Sequence, residues 1–215
     1  MLSLRRWYPL ALALLGIAIS LAVLDRLPAR LATHWDLEGT PNGWMPRSLG
    51  AFVMPVLLLM IWGVMRVAPI VDPRRLNYEK FTAAYDIAVA TILTLLFATH
   101  LMVLALGLGY HVSVTRVAPA TLGILFVSIG NVMPLVRSNF MLGIRTPWTL
   151  SNDRVWARTH RLGGYTMTAA GVAIVTTAAL LPASAIHTVI LTTIVVALGI
   201  PVVYSYFTWK REMKR

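Results

Sequence analysis

The sequence predicts an all-α, polytopic membrane protein with six transmembrane helices. Three observations point there. Hydrophobic residues make up 58% of the 215 positions and charged residues only 13%, too large an apolar surplus for one soluble core. Six apolar stretches of 17 to 22 residues recur, at 8–24, 49–65, 87–108, 117–136, 162–181 and 187–207. Finally, the basic residues gather in alternate connections.

At about 1.5 Å rise per residue, stretches of this length suit a hydrocarbon core of roughly 30 Å, with tilt absorbing the mismatch. In lipid the backbone must satisfy its own hydrogen bonds, so the stretches read as helices. The first follows Arg5 and Arg6 and resembles a secretory signal. Its apolar part is longer than a signal core, and Asp25-Arg26 intrudes before any small-residue cleavage site, so a retained helix is expected.

The formal charge of +11 belongs to topology rather than to nucleic-acid binding. Arg5, Arg6, Arg66, Arg74, Arg75, Lys80, Arg137, Arg145, Arg154, Arg158, Arg161, Lys210, Arg211, Lys214 and Arg215 fall on one side. The other side holds only Arg26, Arg30, Arg47 and Arg116. By the positive-inside bias both termini are cytoplasmic, and the lipid bilayer is the direct partner. Cysteine is absent, which removes disulfides and thiolate metal sites.

The outer loop 25–48 is the richest of the outer connections. Pro28 starts an extended stretch, and Ala32-Thr33-His34-Trp35 alternates like a short strand. Gly39-Thr40-Pro41-Asn42-Gly43 carries turn chemistry. Trp44-Met45 could return antiparallel to Thr33-His34-Trp35 as a β-ribbon, placing Trp35 and Trp44 at headgroup level. Two readings stay open: an interfacial loop anchored by tryptophans, or a recognition surface made of His34, Trp35, Asp36, Glu38, Asn42 and Trp44. In an extended segment His34, Asp36 and Glu38 would point one way, with His111 and His187 near the same face. Without a fixed ligand spacing we assign no metal site, cofactor or catalytic residue.

The segment 72–80 reads as a solvated inner connection around Pro73. His100, in the outer half of the third span, is the ionisable group deepest in an apolar stretch. It is read either as a bundle histidine or as a functional one. The connections 109–116 and 182–186 are short, and the tail after Trp209 is a basic interfacial anchor. Asp86 reads as a helix-start residue.

Loop 137–161 interrupts this generic pattern. Asn131 precedes it inside the fourth span, where an amide turns inward to bond a neighbouring helix; Pro134 frees a carbonyl. Gly143 permits an unusual turn and Pro147 biases Thr146 toward extended backbone. Arg145, held between them, offers a planar fork for a carboxylate, a phosphate or a group of carbonyls. A helix should begin near Ser151 or Asn152. Arg154, Arg158 and Arg161 form one basic stripe on it, suggesting an amphipathic helix along the inner leaflet that bends at Gly163-Gly164 into the fifth span, its stripe either a membrane anchor or a docking surface for a cytoplasmic partner. That span is rich in small and hydroxylic residues and should sit centrally.

Gly130-Asn131, Pro134, Arg137, Asn139, Gly143-Ile144-Arg145-Thr146-Pro147-Trp148-Thr149-Leu150, Trp156 and Thr159-His160-Arg161 resemble the signature of the SdpI family of bacterial membrane proteins. Leu27-Pro28, His34-Trp35 and Gly39-Thr40-Pro41-Asn42-Gly43 resemble a small domain of unknown function often found in front of it. The resemblance implies a multi-pass protein of the bacterial plasma membrane, giving immunity to a secreted peptide toxin. It also implies that a cytoplasmic transcriptional repressor is held at the membrane. We therefore expect an N-terminal two-helix unit at 1–71, a four-helix unit at 86–215, and a non-enzymatic protein that protects the envelope from a toxic peptide. A small transporter using His100, Asn131 and Asp86 is the alternative.

Overall fold

The computed structural model describes the backbone of residues 2–214 and the side chains of 7–182 and 185–214. The side chains of Arg5, Arg6 and Arg215, counted above in the charge bias, lie outside the described residues. In chain order the elements are α1 (Leu2–Val23), β1 (Arg30–Trp35), β2 (Pro41–Pro46), α2 (Arg47–Val71), α3 (Thr82–Gly107), α4 (Val114–Val132), α5 (Pro147–Ser151), α6 (Asp153–Leu180) and α7 (Ala183–Glu212). Short 3-10 turns occupy Leu24–Arg26, Arg75–Lys80 and Met133–Leu135. Among the described residues six helices are long and apolar enough to cross a membrane: α1 to α4, α6 and α7. The predicted six-span fold is the observed one.

Helices α1, α2 and α3 pack on one another around Ala13, Leu58 and Leu93. On the other side α6 lies between α4 and α7, with Ile174, Ile186 and Ile190 in its core. α3 meets α4 and joins the two groups. The small-residue helix is central to this second group rather than to the whole bundle as expected, and the reason is steric. A Cβ on Gly171 would lie 2.5 Å from the Gly123 carbonyl oxygen, and one on Gly164 would lie 2.8 Å from that of Gly130. Two glycines seven residues apart on each antiparallel helix therefore bring the backbones into direct contact, which replaces the hydrophobic drive that lipid cannot supply.

The ribbon forms as predicted, with a shifted turn. β1 pairs antiparallel with β2, Ala32 opposite Trp44 and His34 opposite Gly43, through an irregular register. The reversal spans Asp36 to Thr40, with Gly39 at φ +82°. The Asp36 carboxylate accepts the Thr40 amide at 2.7 Å, an Asx-type closure. Pro41, Asn42 and Gly43 thus belong to the strand rather than to the turn. Gly43 is needed there because a Cβ would sit 2.9 Å from that of His34. Leu31 anchors the ribbon to the bundle, buried with Leu27, Ala51 and Leu104.

One expectation for α6 is corrected. The chain does not run as a separate surface helix that bends at Gly163-Gly164; α6 is continuous from Asp153 to Leu180. Val155, Trp156, Thr159, His160, Gly163 and Gly164 are all buried. This face at helical spacing turns into the bundle, so the first turns of α6 are core.

Candidate functional site

The connection between α4 and α6 is the most heavily hydrogen-bonded irregular segment of the chain. Asn139, fully buried, organises its first half. Its Oδ1 accepts the amides of Met141 and Leu142 at 2.9 and 2.6 Å, and its Nδ2 donates to the carbonyls of Arg137 and Leu142 at 2.8 and 3.0 Å. A short amide that closes such a turn leaves few of the loop's polar groups unpaired.

Gly143 follows at φ +121°, where side chains are rarely accommodated. A Cβ there would fall 2.3 Å from His160 Nε2. The bare backbone instead lets the Ile144 amide donate to His160 Nε2 at 3.0 Å. His160 Nδ1 lies 2.9 Å from the Trp156 carbonyl. One nitrogen accepts and the other donates, which assigns the neutral Nδ1-protonated tautomer. The His160 ring stacks on Trp156 at 3.9 Å between centroids and 16° between planes. The Trp156 indole N–H donates to the Val136 carbonyl at 2.8 Å. Two motif residues one helical turn apart thus clamp both ends of the loop's first half.

The second half is built by capping. Thr146 has the predicted extended backbone, φ −86° and ψ 160°, and closes a reciprocal capping box with Thr149 over α5. Asn152 caps α6, its side chain accepting the amides of Arg154 and Val155. Trp148 meets Tyr206 of α7 edge to face at 5.3 Å. Arg145 is exposed, and its Nη1 donates to the Phe140 carbonyl. Arg161 is exposed. Arg158 pairs with Glu212 at 2.8 Å and Arg154 at 3.7 Å. Two members of the expected lipid-facing stripe therefore engage the end of α7.

The residues that sequence reasoning missed lie between α2 and α3. This connection is structural, contrary to the solvated loop expected. Asp72 is buried and accepts the Arg74 amide at 2.7 Å, the Tyr78 hydroxyl at 2.9 Å and the Phe140 amide at 2.8 Å. Arg74 donates to the Ser138 hydroxyl and, at 2.7 Å, to the Leu150 carbonyl, its guanidinium 5.1 Å from the Phe140 ring centre. Asn77 Nδ2 donates to the Ser138 carbonyl at 2.7 Å. Burial, and then the hydrogen bond to Asp72, push the Tyr78 phenol well above its usual range. Pro73 with two arginines looks like a solvated turn because sequence pattern carries no sign of partners about 65 residues away.

The remaining candidates are dispersed. On the ribbon, His34 Nδ1 donates to Asn42 Oδ1. His34, Asp36, Glu38, Asn42 and Trp44 are exposed and Trp35 is half-buried. β1 ends at Trp35, so His34, Asp36 and Glu38 do not share an extended stretch. Among the described residues no three His, Cys, Asp or Glu side chains converge as metal ligands. His100 is fully buried, with Nε2 3.2 Å from Ser20 Oγ and 3.3 Å from the Gly16 carbonyl of α1. Asn131 is exposed rather than turned inward as expected, though it accepts the Thr168 hydroxyl of α6 at 3.5 Å. His100 and Asn131 thus serve different helix pairs.

Comparison with known proteins matches these two regions. Residues 135–205, from the motif loop through α6 into α7, match the SdpI/YfhL protein family. Residues 11–59, carrying α1 from Ala11 onward, the ribbon and the first half of α2, match a domain of unknown function, DUF1648. The immunity protein SdpI of Bacillus subtilis (strain 168) is 25% identical over 197 residues, which is 92% of each chain. No solved structure matches the chain significantly. The protein is a multi-pass protein of the bacterial plasma membrane whose residues 135–205 match the SdpI/YfhL protein family and whose residues 11–59 match DUF1648.

Proposed function

We propose that this protein protects the bacterial envelope against a toxic peptide by binding it at the membrane, without catalysis. The observation that carries the reading is the alignment with an immunity protein over 92% of both chains, which leaves neither the ribbon nor the motif loop as an added module. The positive-inside bias orients the ribbon outward and both termini into the cytoplasm. His34, Asp36, Glu38, Asn42 and Trp44 then stand exposed on a ribbon fastened to the helix ends. There they meet a peptide arriving at headgroup level before it inserts.

Occupancy can reach the cytoplasmic face because the motif loop is bonded both to the α2–α3 connection and to α6. A relative shift of these elements must break or re-form those bonds. Signalling to a cytoplasmic repressor through Arg145 and Arg161 requires that the toxin bind two arrangements with different affinity. The test is survival and membrane potential of a sensitive bacterium challenged with pore-forming peptides, with and without the protein at verified membrane levels. We expect wild type to protect, and His34→Ala and Trp44→Ala to weaken protection. Equal protection by those variants would remove the ribbon from the mechanism. No protection by wild type, together with solute flux abolished by His100→Ala, would replace immunity with transport.

A further inference from the structure

At the motif-loop end of the bundle, a cavity of about 360 Å³ opens between the α2–α3 connection and the start of α6. Lys80, Arg137, Ser138, Asp153 and Trp156 line it. Two cations and one carboxylate face this space, yet they do not pair across it. Among the described residues the ion pairs are those of Arg154 and Arg158 with Glu212. The Asp153 carboxylate and the Arg137 guanidinium have no hydrogen bond to another described group, and Lys80 Nζ donates only to Asn77 Oδ1 at 3.2 Å. A larger neighbouring cavity of about 840 Å³, with Arg74, Asp153, Arg154 and Glu212 in its wall, shares Asp153 but differs in its cations. Its arginines are already engaged with Ser138, Leu150 and Glu212.

Unpaired charges of opposite sign around one space fit a ligand that carries both signs a few bonds apart. The surroundings identify the source. The cavity lies where α2 and α4 end and α3 and α6 begin, at the boundary of the apolar spans. The same connections expose Leu76, Leu135, Phe140 and Met141, as a surface against acyl chains would. We propose that this cavity binds the headgroup of a zwitterionic phospholipid bearing a primary ammonium. Arg137 and Lys80 hold the phosphate, Asp153 takes the ammonium, and Ser138 is the neutral polar wall. Guanidinium and ammonium donors suit phosphate oxygens, and a carboxylate accepts from an N–H ammonium but not from a quaternary one. The ligand sits across the seam between the α2–α3 connection and α6, so its binding bridges the two helix groups.

The experiment is native mass spectrometry of the full-length protein in detergent. Phosphatidylethanolamine, phosphatidylglycerol and phosphatidylcholine with identical acyl chains are added in turn, with soluble glycerophosphoethanolamine as a fourth arm. We expect phosphatidylethanolamine to bind about tenfold tighter than the other two, equivalent to about 1.4 kcal/mol. Asp153→Asn, which leaves the Asn152 cap in place, should bring the three lipids level. Arg137→Gln with Lys80→Gln should weaken all of them. Unfolding temperatures of the variants near that of wild type establish that the fold is intact. Equal binding of the three lipids by wild type, or a preference unchanged by Asp153→Asn, overturns the proposal. Binding of glycerophosphoethanolamine as tight as the lipid overturns the assignment of a membrane source.

Discussion

The Phe140 amide donates to Asp72 Oδ2 at 2.8 Å, joining the end of α2 to the loop that follows α4. That one bond ties two connections 68 residues apart, and it works because Asp72 is buried and already oriented by Arg74 and Tyr78. A carboxylate that organises three donors fixes the position of the whole motif loop relative to the first three helices.

Replacing Asp72 should be the most damaging change at this end. Asp72→Ala removes the acceptor of the part-buried Phe140 amide and the nearer acceptor of the buried Tyr78 hydroxyl, leaving it Asn139 Oδ1 at 3.4 Å; a polar group left unsatisfied costs roughly 1–3 kcal/mol. We expect a net loss of about 2–4 kcal/mol. Unfolding in detergent, followed by tryptophan fluorescence, reads it; an unchanged midpoint would contradict the organising role.

Gly143→Ala should loosen the loop without breaking the bundle. A side chain at φ +121° is strained, and its Cβ would meet His160 Nε2 at 2.3 Å, displacing the Ile144 amide. The backbone part alone costs on the order of 1–3 kcal/mol. Hydrogen exchange should rise at Ile144 and Leu142 while α4 stays protected; uniform protection would show that the clamp is dispensable.

The α4–α6 seam predicts a sharp contrast between glycines. Gly171→Val puts atoms into the Gly123 carbonyl and the Val127 amide, where a Cβ has only 2.5 and 2.6 Å. Neither is the end of a flexible side chain, so the helices must separate. Gly63→Val is the control, since nothing lies within 4 Å of its Cβ position. Size-exclusion profiles and yield of folded protein should fall for Gly171→Val alone. Similar behaviour of both variants would show that the seam carries little of the packing.

Tyr78 predicts a limit at alkaline pH. Its phenol is raised in the folded state above the ordinary value of 10.0 by burial and by Asp72. The folded protein therefore holds this proton where the unfolded chain has lost it. The resulting stability is fully present below about pH 10 and declines as pH rises beyond it. The unfolding midpoint of wild type should fall more steeply above pH 10 than that of Tyr78→Phe. Parallel curves would mean that the Tyr78 proton makes no difference to folding.

Much of this architecture is local information. Six runs of apolar residues can be counted along the chain, and in lipid the backbone of each has one way to satisfy itself. The ribbon follows from the alternation of β1, although its turn lies at Asp36–Thr40 and the residues read as the turn, Pro41 to Gly43, are strand. The backbone at Gly143, Thr146 and Asn152 follows from glycine, the residue before proline and a capping amide, each acting within four positions.

What escaped the sequence is what a second segment decides. Asp72 and Arg74 read as solvated until the fold sets Ser138, Phe140 and Leu150 against them. Arg154 and Arg158 read as a lipid-facing stripe until Glu212 arrives from the far end of α7. The start of α6 reads as interfacial until Trp156 and His160 are enclosed. A polar or charged side chain has no preferred surroundings of its own; its partner sets them. The helices, ribbon and turns of this protein were determined by its sequence alone, through short-range sterics and the hydrophobic length of each span. Which polar groups are buried, and what they hold together, was decided by tertiary structure, because those partners become neighbours only when the helices pack.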